Sequence, residues 1–363
     1  MPIDFVYNGQ SSNTSMIDRL QAVNWDAGAL RPWRDTAGRS WMTINGRDGK
    51  PKTVKANADA TLTKEAWLQL DTAILKVARN RLRMVADLRS AGLTYGIPNG
   101  IGTTVLEYQK MNDTGNATIS MDGLKQASDF RPVFESAYLP LPFIHSDFQY
   151  SARQLATSRQ TGAPLDTTTG EMAGRRVAEE TEKLTLGRLD SFTYGGGVIY
   201  GACNFPGRHT GTITAPTAVG WTPAAHLVEV LAAKQILQNQ KHYGPYMLYY
   251  SSAWDRYLDN DYNTAYPNKT VRDRIREIDG IQEVRTLDYL DSQTSAATST
   301  FNMLLVEMDT GTIRLVIGMD VTTLEWDDMG GLRKNYKVMC IIIPQLRADK
   351  EDQTGIFHGN GDL

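Results

Sequence analysis

Three stretches carry apolar residues at helical spacing. Trp67, Leu70, Ile74, Val77, Met84, Val85 and Leu88 form one stripe. It predicts a helix over 63–91, with Thr63 as N-cap, Glu65 in the first turn and Gly92 as the stop. Met172, Ala173, Val177, Leu184 and Leu186 predict a second helix over 166–189, opened by Thr168 with Glu171 three residues on, the spacing of a capping box. Its exposed side pairs Arg175 with Glu179, Arg176 with Glu180 and Glu179 with Lys183 at i,i+4. Such charges serve a solvated face or meet a neighbouring subunit. A third helix over 221–240 has Thr222 as N-cap and Pro223 at its first position.

Between the helices the pattern changes to extended chain. "TYGIPNGIGTTVLEYQKM" and "ATISM" read as strands separated by the turn cluster "NDTGN". "RPVFESAYLPLPFIHSDFQYS" carries three prolines, which exclude helix and favour an edge strand or extended loop. Residues 95–150 therefore predict a long hairpin that leaves the body. Further on, "SAWDRYLDN" and "KTVRDRIREI" are short helices. "YMLYY", "FNMLLVEM", "TIRLVIGM" and "KVMCIIIP" are strands, the last apolar enough for a central one.

Residues 1–62 have little apolar periodicity, yet Trp25, Trp33 and Trp41 punctuate them. Tryptophan gains most by burial, so this segment predicts an arm ordered against something else. The expectation is that it lies along neighbouring subunits with Trp33 and Trp41 as anchors. The alternative is that both rings fold back on their own subunit. "WMTINGRDGKPKTV" predicts a hairpin about its Asn-Gly.

Composition narrows the function. With 41% hydrophobic and 22% charged residues among 363, the chain can bury a core. A net charge of −3 gives no bulk attraction to nucleic acid, and no basic stripe is apparent. Cys203 and Cys340 are too few for a disulfide framework and read as buried free thiols. The start of the chain lacks the pattern of a signal peptide, and no apolar run is long enough to cross a bilayer. The five histidines are scattered, and His226 is read as lacking a carboxylate or second histidine at ligand spacing. Asp259, Asp261 and Asn263 open like a calcium loop but lack its later glycine and glutamate. No catalytic, cofactor or metal motif stands out, so no enzyme and no cofactor are expected.

"YGGGVIYGACNFPG" (194–207) tests that conclusion, because clustered glycines cradle phosphates. A cradle feeds a helix N-terminus. Here the glycines follow a helix and lead into a strand, so they predict chain reversal and close packing.

A long helix rich in Ala, Glu and Arg, a Gly-rich turn and then "IYGACNFPG" resemble the spine-helix region of tailed-phage major capsid proteins and the related encapsulins. "EAWLQLDTAILKVARNRL", "LPLPFIHSDFQYSARQL", "YGPYMLYYSSAWDRYLDND", "IREIDGIQEV" and "LVIGMDVTTLEW" extend the resemblance in order over about residues 63–350. It implies an α+β, Hong Kong 97-type fold. That fold divides the chain into an N-terminal arm (1–62), the first helix of a peripheral domain (63–94) and an extended hairpin or E-loop (95–150). The peripheral domain with its spine helix (151–220), an axial domain (221–320), and the return to the peripheral domain with a C-terminal tail (321–363) follow. It also implies a major capsid protein made in a host bacterial cytoplasm, forming hexamers and pentamers of an icosahedral virion shell around double-stranded DNA. Portal, scaffolding or decoration proteins would be partners, and no membrane is involved. The alternative is an encapsulin-type compartment holding an enzyme cargo; encapsulins begin close to the first helix, whereas some sixty residues precede it here. Trp33, Trp41, Arg175, Glu179 and Glu180 are the candidate subunit contacts. Lys110 and Lys125 are candidate hairpin lysines for covalent crosslinking, with non-covalent stabilisation expected.

Overall fold

The computed structural model describes residues 33–35, 37–45 and 51–55, scattered positions from 62 to 74, and residues 83–111, 134–154, 167–189, 191–263, 269–291, 300–328, 332–348 and 354–362, with single positions 119, 121 and 157. A three-stranded sheet, β1 (Trp33–Arg34), β2 (Ser40–Asn45) and β3 (Pro51–Lys55), precedes α1 (Arg83–Ser90) and β4 (Thr94–Gly96). A hairpin of β5 (Val105–Met111) and β6 (Phe134–Pro140) leads to β7 (Ile144–Ser151) and the long helix α2 (Thr168–Leu186). A small hairpin, β8 (Phe192–Tyr194) and β9 (Gly197–Ile199), is followed by β10 (His209–Thr214), α3 (Pro223–Asn239) and β11 (Tyr246–Ser251). Then come α4 (Asp255–Leu258), α5 (Val271–Arg276), β12 (Ile281–Leu287), β13 (Phe301–Glu307), β14 (Ile313–Asp328), β15 (Arg333–Leu346) and β16 (Ile356–Asp362).

Two sheets organise the body, one in the order β4-β14-β15-β7 and one in the order β10-β16-β13-β11-β12. The first places β15 between two neighbours and covers both its faces. Val338, Cys340 and Ile342 enter a core shared with α2. Met339, Ile341 and Ile343 enter a second core with Leu139, Leu141 and Ile199 below the hairpin. A strand covered twice has no polar side, hence the unbroken apolar run. In the second sheet, Tyr246, Leu248 and Tyr250 pack on Val230, Ala233 and Leu237 of α3 and Val271 and Ile275 of α5. Met247 and Tyr249 face the other way, into the core around α1 and α2.

Several predicted elements form with their caps. Thr222 Oγ1 accepts the Ala225 N–H at 3.2 Å and Pro223 opens α3. Gly92, at φ 73°, ends α1. β2 and β3 pair from Trp41↔Lys55 to Asn45↔Pro51, the predicted hairpin. Trp67, Leu70 and Ile74, on helical residues between 66 and 74, and Met84, Val85 and Leu88 on α1 are all buried. Thr63, Glu65 and Val77 lie outside the described residues.

Others need correction. Thr168 is the first residue of α2 rather than its cap, and Thr167 before it makes no side-chain cap bond but donates to Glu171 Oε1 at 3.0 Å. Met172 is exposed. Close packing against residues 70–74 turns Gly170 and Gly174 inward instead: a Cβ would meet Leu70 Cδ1 and Ile74 Cγ2, each at 2.7 Å. Two glycines four apart on a helix line one face. The hairpin is shorter than 95–150, because β4 and β7 are strands of the four-stranded sheet. The segment 321–363 does not stay together either: β16 runs between β10 and β13 in the other sheet. "IFHGNGD" looks too glycine-rich for a strand, but Gly359 and Gly361 admit Ile213 and Phe301 at close range.

Candidate assembly surface

The glycine stretch is a hairpin clip. Tyr194 pairs with Gly197 across two residues, Gly195 and Gly196, at φ 59° and 79°. Two positive φ values in a two-residue loop are the turn that matches strand twist. Gly197 lies against β6, where a Cβ would run into the Tyr138 carbonyl. Gly201 likewise lies against Gly187, which ends α2 in the left-handed conformation at φ 76°. No phosphate cradle forms; the glycines seat one hairpin against the base of another.

Large apolar side chains remain uncovered on these two hairpins. Phe134 and Tyr138 on β6 and Phe192 and Tyr194 on β8 are exposed, and Ile119, beyond the end of β5, is 98% exposed. A second uncovered face runs along α3, where Val228, Leu231 and Ile236 are exposed among exposed alanines. The two charged residues of α3 are both turned to their own chain. Glu229 accepts from Thr214 Oγ1 at 2.6 Å and meets His226 Nδ1 at 3.1 Å, and Lys234 donates to the Asp279 carbonyl at 2.5 Å. The outer face of α3 is thus uncharged and largely apolar, with Gln235 and Asn239 as its exposed polar side chains, a composition unusual for a lone surface helix.

The charges of α2 are arranged differently from expectation. Arg175 does pair with Glu179, at 2.6 Å. Glu180 is met by Lys183 at 2.9 Å, three residues on, instead of by Arg176. Lys183 also lies 5.5 Å above the Tyr289 ring, a cation–π contact that draws it to this side of the helix. Trp33 packs against its own subunit's largest core, and its Nε1 donates to Thr43 Oγ1 at 3.2 Å. Trp41 is half-buried; its Nε1 donates to Asp35 at 3.0 Å, and Arg39 stands 5.9 Å over its ring. The Trp41 hydrogen bond, with the Arg39 backbone N–H, holds the Asp35 carboxyl down at about 2. Lys110 stands opposite Glu135 across the hairpin; Lys125 lies outside the described residues.

Inside the molecule, Glu182 and His226 are two of the buried polar groups that sequence reasoning missed. Glu182 of α2 is buried and accepts the Met84 and Val85 N–H groups at 2.7 and 3.4 Å, satisfying the open end of α1. Burial outweighs these bonds and pushes its carboxyl up to about 7. Its signal was a glutamate four residues from Ala178 and four from Leu186, on the buried stripe. His226, read as lacking a carboxylate or second histidine at ligand spacing, is met by the Glu229 carboxylate three residues on at 3.1 Å and by the Tyr250 hydroxyl at 2.8 Å. Asp259 is paired with Arg272 at 3.0 Å, and no three metal-ligating side chains converge among the described residues. Cys203 and Cys340 are buried, free thiols; burial raises both, Cys340 to about 11. No described helix is long and apolar enough to cross a membrane.

Residues 56–359 match the model of the family of unknown function DUF6260. The Type 1 encapsulin shell protein EncA of Myxococcus xanthus is 22% identical over 316 residues, 84% of this chain and 96% of the relative. A virus-like particle subunit from Pyrococcus furiosus superposes with a TM-score of 0.58 at 15% identity, over 82% of this chain and 100% of its own. The capsid of Myoviridae phage XM1 superposes at 0.54 with 10% identity, over 72% and 86%. The fold is the Hong Kong 97-type fold implied by the sequence resemblance, and the chain belongs to the DUF6260 family.

Proposed function

We propose that this chain is a structural shell subunit, the major capsid protein of a tailed bacteriophage, forming hexamers and pentamers of a closed icosahedral shell around double-stranded DNA. The observation that carries the reading is the uncovered apolar surface on the projecting hairpin and on α3. Side chains left this exposed add little to the monomer's stability, whereas a repeated neighbour would cover them. The shared fold supports the same reading. Trp33, Trp41, Arg175, Glu179 and Glu180 join that surface as subunit contacts. The role is structural, with no catalysis and no cofactor. Portal, scaffolding or decoration proteins are its partners, and the shell belongs to a virion made in the bacterial cytoplasm.

A second reading, an encapsulin-type compartment with an enzyme cargo, is favoured by coverage of 96% of the Myxococcus shell protein. Expression of the full chain followed by electron microscopy and analysis of the contents separates the two. Closed shells holding nucleic acid support the capsid, and shells holding one protein support the compartment. A monodisperse small oligomer with catalytic turnover would overturn both. Denaturing electrophoresis of particles is expected to give a single band near 40.4 kDa, because Lys110 already faces Glu135 and the shell is held without covalent links. Ladders of multiples would reverse that expectation.

A further inference from the structure

The total charge of −3 conceals a segregation. Residues 31–55 contain seven Lys and Arg against two Asp, a net of +5, which leaves −8 for the rest. The structure folds most of this segment into the sheet β1-β2-β3. On it Arg34, Arg39, Lys52 and Lys55 are exposed. Trp33, Trp41 and Lys55 stand in register across the three strands. β3 is an edge strand with Lys52, Thr53, Val54 and Lys55 all exposed. Its two lysines lie three residues apart, roughly 10 Å along the strand and on opposite faces of the sheet, so they flank its open edge. Asp35, the acidic residue described here, is already bound by Arg39 at 3.0 Å and by Trp41. The sheet is fixed to the body through Trp33 and through the Arg34 N–H, which donates to the Leu62 carbonyl at 2.9 Å. The family match begins at residue 56, so this sheet lies outside the residues it covers.

We propose that β1-β2-β3 is a polyanion-binding module that grips the phosphates of enclosed double-stranded DNA without reading sequence, and that it faces the lumen of the shell. The proposal rests on the capsid reading for its DNA. A basic, uncovered strand on an anchored platform matches the requirement for phosphate contact, which needs cations and no base-reading element.

The test compares the full chain with Lys52→Gln/Lys55→Gln, with the charge-preserving Lys52→Arg/Lys55→Arg, and with Arg153→Gln/Arg256→Gln as a control on exposed cations elsewhere. Affinity for a random-sequence DNA duplex is measured from 50 to 200 mM salt, and the same preparations are imaged for shells. Loss of two phosphate contacts should flatten the slope of log affinity against log salt by about 1.8 and weaken binding about tenfold or more at the low-salt end. The arginine variant and the control should keep the wild-type slope. Equal slopes for wild type and the glutamine variant, equal losses in the control, or no wild-type binding would overturn the proposal. So would unchanged binding with failed shell formation, which would assign β3 to a subunit contact. If wild type forms no shells, the capsid reading fails while the salt slopes still decide whether the module binds phosphate.

Discussion

At the scale of single residues, Glu182 shows burial overruling hydrogen bonding. Backbone N–H donors favour its charged form, yet the loss of water is larger and its carboxyl rises from 4.5 to about 7. A carboxyl raised on folding stabilises the fold when protonated, and that contribution is lost as pH climbs from about 4.5 to above 7. The shift corresponds to roughly 3 kcal/mol. Glu182→Gln keeps an acceptor for Met84 and cannot ionise. Chemical unfolding of both proteins at pH 5, 6, 7 and 8 should show the variant gaining on wild type by up to that amount; parallel curves would count against this account. The glycine clip offers a second comparison. Gly196 has open space around a Cβ and only its φ of 79° to strain, whereas Gly197 has the Tyr138 carbonyl in the way. Gly196→Ala should cost about 1 kcal/mol and Gly197→Ala about 2–3 kcal/mol. The second should also loosen the hairpin base, seen as faster proteolysis near Pro140; equal costs would mean that contact with β6 is unimportant.

At the scale of elements, α2 is built around its small residues. Gly174→Ala adds intrinsic helix propensity of about 1 kcal/mol, yet its Cβ meets Ile74 at 2.7 Å. Overpacking of about 1–3 kcal/mol should win. A double-mutant cycle with Ile74→Ala, which removes the obstructing methyl, should recover part of the loss; additive costs would remove Ile74 as the cause. This packing also marks where sequence reasoning reached its limit. The stripe Trp67, Leu70, Ile74 was legible because large apolar residues announce burial through their spacing. The inward face of α2 was legible at Ala173, Val177, Leu184 and Leu186, but not at Gly170 and Gly174, which bury themselves by absence of a side chain and leave Met172 to look like the core. β15 was legible as central because both its faces are apolar, whereas β16 was not, because its glycines and buried His358 carry no alternation. The hairpin was legible from its prolines, but its limits were set by pairing of β4 and β7 with distant β14 and β15, which no local pattern reports. In the candidate surface, the Arg175–Glu179 pair was legible from spacing. The bare face of α3 emerged only once Glu229 and Lys234 were seen to turn inward.

At the scale of the whole molecule, the proposed assembly would draw on surfaces other than those that hold the fold, and α3 is where the two separate most cleanly. Its inner side, Val230, Ala233 and Leu237, closes the core over the five-stranded sheet. Its outer side, Val228, Leu231 and Ile236, remains exposed in the single chain. Covering one such side chain contributes about 1.5–3 kcal/mol at most, and less where it is already partly shielded. A closed shell repeats the contact at every subunit, so modest local energy becomes decisive for closure. Val228→Glu/Leu231→Glu should therefore leave the folded subunit within about 0.5 kcal/mol of wild type. The same change places two like charges at each copy of a subunit contact and should abolish shells, leaving soluble small species in light scattering and electron microscopy. Val228→Ala/Leu231→Ala removes area without adding charge, and should raise the protein concentration needed for assembly rather than abolish it. Normal shells from the glutamate variant would show that α3 faces solvent in the particle. The burden of self-association would then rest on the hairpins alone, with Phe134, Tyr138, Phe192 and Tyr194 as the next side chains to change.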